Sequence, residues 1–120
     1  MLEEINIGGL FLTRLIGLRS SISEEDASEF FKCFKNVFLD RNQDHWYEHS
    51  PSKGQGYRCI STPGEGCPDP VLLMVTKKCK IRYCDLKLPL EVYLWIDPGE
   101  VSCRSGHCII VSESLLSLIL

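Results

Sequence analysis

No apolar run in this chain approaches the about 20 residues that a membrane-crossing helix needs. The first residues, Met1-Leu2-Glu3-Glu4, are acidic where a secretory signal carries a basic stretch. A cytoplasmic and nuclear protein without membrane contact is therefore expected. Positive charge is also in short supply. Thirteen Lys and Arg stand against 16 Asp and Glu, for a formal charge of −3, so no basic face is expected to neutralise phosphates and direct nucleic-acid binding is not expected. Internal repeats and low-complexity stretches are missing, which excludes solenoids and disordered tracts. The seven cysteines cannot all pair. In a reducing compartment they are expected as free thiols, most of them serving as small core side chains.

What remains is an ordinary globular composition. Apolar residues make up 44% and charged residues 24% of 120 positions, enough for one self-sufficient core and too few for two. A monomeric single domain with no catalytic centre and no cofactor is expected.

Apolar side chains at Leu2, Ile5, Leu12, Leu15 and Ile16 fall near helical spacing, with Glu3 and Glu4 at the N-terminal end and Arg14 toward the other. This predicts a helix over 2–18. Gly8 and Gly9 inside it cost about 1 kcal/mol each relative to alanine, which packing or a bend must absorb. Ser23 before Glu24, Glu25 and Asp26 reads as an N-cap with acids in the first turn, and Ala27, Phe30, Phe31, Phe34 and Phe38 recur at helical intervals behind it. With so short a connection, the two helices are expected to form an antiparallel hairpin.

Ser50 to Gly56 is rich in turn residues and leads into Tyr57-Arg58-Cys59-Ile60, a short strand candidate. After an irregular stretch from Pro63 to Pro68, a helix is predicted from Pro70 to about Lys80, with proline suited to its first turn. From Val92 the period falls to two. Val92, Leu94 and Ile96 take one face of a strand, and Tyr93, Trp95 and Asp97 the other. Asp97-Pro98-Gly99-Glu100 has proline and glycine where a type II turn places them. Two further strands follow, Val101–Arg104 and His107–Ser112, joined by Ser105-Gly106. Helices first and strands last define an α+β domain: two long N-terminal helices in a hairpin, further short helices and a small antiparallel β-sheet.

An indole and a tyrosine beside a carboxylate on the face away from the aliphatic core are the ingredients of a protein-binding hot spot, because a rigid ring buries much area at small entropic cost. Burial of Trp95 under a second layer is the competing reading of the same pattern. His45-Trp46-Tyr47 with Pro51-Ser52-Lys53-Gly54-Gln55-Gly56-Tyr57-Arg58-Cys59-Ile60 resembles the first signature box of the BTG/Tob antiproliferative family. The run from Leu88-Pro89-Leu90-Glu91 through Val92-Tyr93-Leu94-Trp95-Ile96-Asp97-Pro98-Gly99-Glu100 to Val101-Ser102-Cys103-Arg104 resembles the second. That resemblance implies a BTG/Tob-like domain over 1–112 and an apolar C-terminal tail, 113–120, unlike the family. It implies binding to the Caf-type exonuclease subunit of the cytoplasmic deadenylase complex, and thereby an influence on poly(A) shortening, translation and proliferation. It also implies that Tyr57, Trp95 and Asp97 carry that contact. At Gly99 and Cys103 the family usually has rings, so two aromatic contacts beside the expected interface are missing. His45 and Trp46 are expected to be structural.

Rival chemistries are less well supported. Cys79, Cys84, Cys103, His107 and Cys108 include enough soft ligands for zinc, but not at the short paired spacing of a structural site, so no metal is expected. With seven Cys and three His, some thiol–imidazole pair always looks available, and abundance alone makes no thiol enzyme. Lys53-Gly54-Gln55-Gly56 lacks the ending of a phosphate loop and reads as a turn whose glycines supply positive φ. Leu12-Thr13-Arg14-Leu15-Ile16 evokes a receptor-binding helix, but its leucines read as core. A nuclear transcription cofactor that binds DNA-bound factors is the second functional expectation.

Overall fold

The computed structural model describes residues 1–105 and the backbone of Cys108–Val111. α1 (Leu2–Arg19) and α2 (Glu24–Asn42) form the expected hairpin. Ser23 caps α2 through its hydroxyl, which accepts from the Asp26 N–H at 3.1 Å, and Glu24, Glu25 and Asp26 complement the helix dipole. The phenylalanine periodicity predicted the buried face well. Phe30, Phe34 and Phe38 are fully buried and stack along one stripe, with centroids 6.3 and 5.7 Å apart.

α1 runs unbroken through Gly8 and Gly9 because the sheet and α2 press against it there. A Cβ at Gly8 would meet Ile96 Cδ1 and lie 2.7 Å from Ile96 Cγ1, and one at Gly9 would lie 3.0 Å from the Phe31 and Phe34 rings. Close approach, not flexibility, accounts for both glycines.

Tyr57–Ile60 was expected as a strand, and the structure corrects this. Gln55–Arg58 forms a one-turn helix, α3, and the strand β1 covers Ile60–Thr62. Gly54, at φ 76°, turns the chain into α3, and the backbone carbonyls of His45, Pro51 and Lys53 ahead of that turn draw the Arg58 side chain inward. Those contacts outweigh the β-propensity of Tyr, Cys and Ile. Of the two glycines expected at positive φ in this turn, only Gly54 has it; Gly56 is helical.

α4 (Pro70–Cys79) starts at Asp69, whose Oδ1 accepts from the N–H groups of Val71 and Leu72 at 2.8 and 3.1 Å. It ends where Lys80 turns left-handed at φ 59°. A single 3₁₀ turn, Tyr83–Leu86, follows, and the sequence pattern had not indicated it.

β2 (Val92–Asp97) and β3 (Glu100–Ser105) join through Pro98-Gly99, with Gly99 at φ 79° as a type II turn requires. β1, β2, β3 and β4 (Cys108–Val111) form one antiparallel sheet in that order. The expected Ser105-Gly106 turn lies partly, and the 113–120 tail wholly, outside the described residues. One sheet face packs on α1, α2 packs on α1, and α4 packs on α2. Ile5, Leu12, Ile16, Leu94, Ile96 and Val101 line the shared core at no more than 2% exposure.

The cysteines are more exposed than expected. Cys103 is buried, Cys33, Cys59 and Cys79 are half-buried, and Cys67 and Cys84 are exposed. Cys67 and Cys84 sit in the connections on either side of α4, and in the turn that holds Cys84 it is Leu86 that takes the core position.

Candidate protein-binding site

The foundation of the site is one buried arginine. Arg58, 1% exposed, sends Nε to the Ile96 carbonyl at 3.1 Å and Nη1 to the carbonyls of His45 and Lys53, both at 2.7 Å. Its Nη2 reaches the Pro51 carbonyl and Asp97 Oδ1, both at 2.8 Å. An arginine has five N–H donors, and here each has an acceptor. The other Asp97 oxygen accepts from Gln55 Nε2 at 3.0 Å. Residues 45–58 are thereby clamped onto the end of β2.

Asp97 was expected to be a carboxylate displayed beside Trp95. It does project from the Tyr93–Trp95 side of β2, but it is only 6% exposed, and both of its oxygens are engaged within the chain. α3 covers that end of the strand, and the carboxylate there compensates a buried guanidinium that would otherwise be left without its counter-charge.

Two sets of rings flank this clamp. On the α3 side Tyr57 is 41% exposed. The His45 ring lies against it at 4.0 Å between centroids, and the Arg41 guanidinium carbon sits 4.4 Å from its centre. On the sheet, Tyr93 and Trp95 are half-buried and nearly parallel, 6.2 Å apart with planes 19° from one another. Arg104, across the ladder from Tyr93, places its guanidinium carbon 4.6 Å from the Tyr93 ring and 5.9 Å from the Trp95 ring. Ser102, paired with Trp95 across the ladder, is itself buried. The expected trio is thus joined through Asp97: α3 carries Tyr57 and contributes both of the carboxylate's partners, and Trp95 lies two residues before it.

A sequence model of the BTG family matches residues 1–113. The chain belongs to the BTG family. It is similar to Protein BTG3 of Mus musculus, 38% identical over 107 residues that make up 89% of this chain and 42% of that protein. It is also similar to Protein BTG2 of Rattus norvegicus, 35% identical over 120 residues, 95% of this chain and 75% of that protein. The chain therefore spans about 42% of the length of the BTG3 proteins it matches. Its fold superposes on a double-variant BTG/Tob domain of C. elegans FOG-3 with a TM-score of 0.78 at 18% identity, covering 92% of this chain and 88% of that one.

The two positions at which the resemblance led to an expectation of rings lie in different settings. Cys103 pairs with Leu94 on the core face at 2% exposure, so the side chain there bears on the interior and not on the Tyr93–Trp95 side. Gly99 sits at the exposed tip of the β2–β3 turn. Its N–H donates to Glu4 Oε2 at 3.0 Å, tying the turn to the start of α1. Burial works against the Glu4 carboxylate, but that bond and the N-terminal ammonium, 3.2 Å from its other oxygen, hold its pKa below the usual value.

Cys59 is half-buried beside this region, and desolvation, with the Asp69 and Asp97 carboxylates, pushes its thiol up to about 11. The residues considered for zinc are dispersed: Cys79 ends α4, Cys84 is exposed in the 3₁₀ turn, Cys103 faces the core, and the side chains of His107 and Cys108 lie outside the described residues. Among the described residues, no group of three or more His, Cys, Asp or Glu side chains is arranged to hold a metal. An open cleft of about 290 Å³, lined in part by Leu73, Tyr83, Leu88 and Leu90, shares no residue with the ring-bearing face.

The sequence pattern missed Arg58, Gln55, Arg41 and Arg104. Arg58 and Gln55 lie inside the first signature box, but nothing in their spacing announces burial. Arg41 lies in the last turn of α2, and His45 follows the helix's end at Asn42, so helical spacing could not announce that both meet Tyr57.

Proposed function

We propose that this BTG-family chain is a non-catalytic adaptor that binds the Caf-type exonuclease subunit of the cytoplasmic deadenylase complex and so modulates poly(A) shortening, translation and proliferation. Tyr57 and Trp95 form the contact, with Asp97 holding the two supporting elements in register. The observation that carries this reading is that two incompletely buried rings, Tyr57 on α3 and Trp95 on β2, stand on the two elements that the fully hydrogen-bonded Arg58 and Asp97 tie together. A preorganised aromatic pair loses little entropy on docking, which is how hot spots concentrate binding energy.

The test is binding of purified deadenylase subunit to the wild-type chain and to Trp95→Ala. Loss of at least about 2 kcal/mol, roughly 30-fold in Kd, with an unchanged circular dichroism spectrum is the expected result. Undiminished binding by a folded W95A protein removes the indole from the interface. Recovery of DNA-bound transcription factors in place of the deadenylase favours the cofactor reading. Running the same co-purification with and without residues 113–120 isolates the contribution of the tail.

A further inference from the structure

Resting on that reading of the ring-bearing face, we infer that the partner's docking segment is an acidic stretch of protein, and that Arg41 and Arg104 are the residues that receive its carboxylates. Both guanidinium groups lie over rings of the face, Arg41 on Tyr57 at 4.4 Å and Arg104 on Tyr93 at 4.6 Å. Among the described residues, neither makes a hydrogen bond or ion pair within the chain. Arg58 shows the contrast, since its five donors are all spent internally.

Arg41 is the sharper case. Its Nε is buried without a hydrogen-bond acceptor. Buried donors of this kind are rare in folded proteins and call for a reason. Asp69 feels the Arg41 charge, but its oxygens already accept from the N–H groups of Val71, Leu72 and Ser61. With Nε turned inward, the Nη1 and Nη2 N–H groups of Arg41 are the donors left for an incoming group, and such a pair suits a carboxylate. Lys53 repeats the pattern over Tyr47 at 4.4 Å. In a chain of net charge −3, Arg41 and Arg104 thus place two cations without an internal partner on the rings of this face, which favours an acidic partner.

Biolayer interferometry of the full chain against purified Caf-type exonuclease subunit at 50 and 300 mM NaCl tests this, with wild type, R41M/R104M and R41K/R104K. Wild-type affinity should fall about 10-fold across that range, because partly exposed ion pairs are screened by salt. R41M/R104M should bind about 30-fold more weakly at 50 mM and show almost no salt dependence, while R41K/R104K keeps the salt dependence and loses part of the affinity. Methionine preserves the stem that covers each ring, and thermal unfolding verifies the fold. Should the double variant unfold, R104M alone, exposed in the parent, carries the same expectations at half the logarithmic loss. If R41M/R104M binds like wild type at both salts, the inference fails and the adaptor reading stands. If the wild type does not bind at either salt, both fall. An oligoadenylate bound by wild type and lost in R41M/R104M also overturns the inference, because it assigns the arginines to nucleic acid.

Discussion

Replacing Arg58 by methionine probes the clamp on which the whole face depends. Methionine fills much of the volume of the arginine stem, so the cavity is small. It leaves the carbonyls of His45, Pro51, Lys53 and Ile96, and one oxygen of Asp97, without their donor. Removing one partner of a buried ion pair costs about 3–5 kcal/mol, because the remaining charge stays desolvated. Set against a typical total of about 5–15 kcal/mol, R58M should sit near the edge of stability. With a urea dependence of about 1.5–2 kcal/mol per molar, its midpoint should fall by roughly 2 M. Asp97→Asn should cost less, about 1.5–3 kcal/mol, since it removes one charged hydrogen bond while four carbonyls still hold the guanidinium and Gln55 can turn its amide to suit. In R58M/D97N neither charge remains, so the loss should fall short of the sum of the single losses by about 1–3 kcal/mol. Urea titrations followed by tryptophan fluorescence and circular dichroism measure all three. A stability of R58M within about 0.5 kcal/mol of wild type, the scatter of ordinary surface changes, or strictly additive single losses, refutes the clamp. The result also governs how Asp97 variants are read, since loss of partner binding by such a variant reports the interface only after correction for the folded fraction.

Two further outcomes follow from the same packing. Gly8→Ala should destabilise by about 1–3 kcal/mol, because its methyl would press into Ile96. Gly17→Ala in the same helix meets nothing within 4 Å and should stabilise by about 0.5–1 kcal/mol; paired thermal melts in which the two variants shift alike would contradict this account of α1. For Cys59, a thiol pushed up to about 11 has roughly 100-fold less thiolate at pH 8 than an ordinary cysteine. In a timed iodoacetamide reaction read by peptide mass spectrometry, Cys67 and Cys84 should be modified first, and Cys59 labelling at their rate would show the thiol to be unperturbed.

Much of the architecture was legible before any coordinates. The Phe30–Phe38 stripe, the Ser23 cap, the period-two run from Val92 and the Pro98-Gly99 turn are local signals, each confined to a few neighbours in the chain, and each formed where its pattern predicted. The misread segment was 57–60. Its residues favour a strand locally, but the energy that decides it comes from a guanidinium reaching carbonyls 5 to 38 positions away. The cysteines were misread for a related reason: composition says that a thiol tolerates burial, whereas only packing says which side of a helix or turn it occupies.

Pattern and motif determined the fold class and the family, because periodicity, caps and turn residues act over a few positions and survive without knowledge of long-range contacts. Tertiary structure alone decided that Asp97 is a strut and not a displayed carboxylate, that Cys103 faces inward, and that Arg41 and Arg104 lie on the rings with their donors unspent. Those outcomes turn on which groups lose water together, and that depends on the approach of segments far apart along the chain.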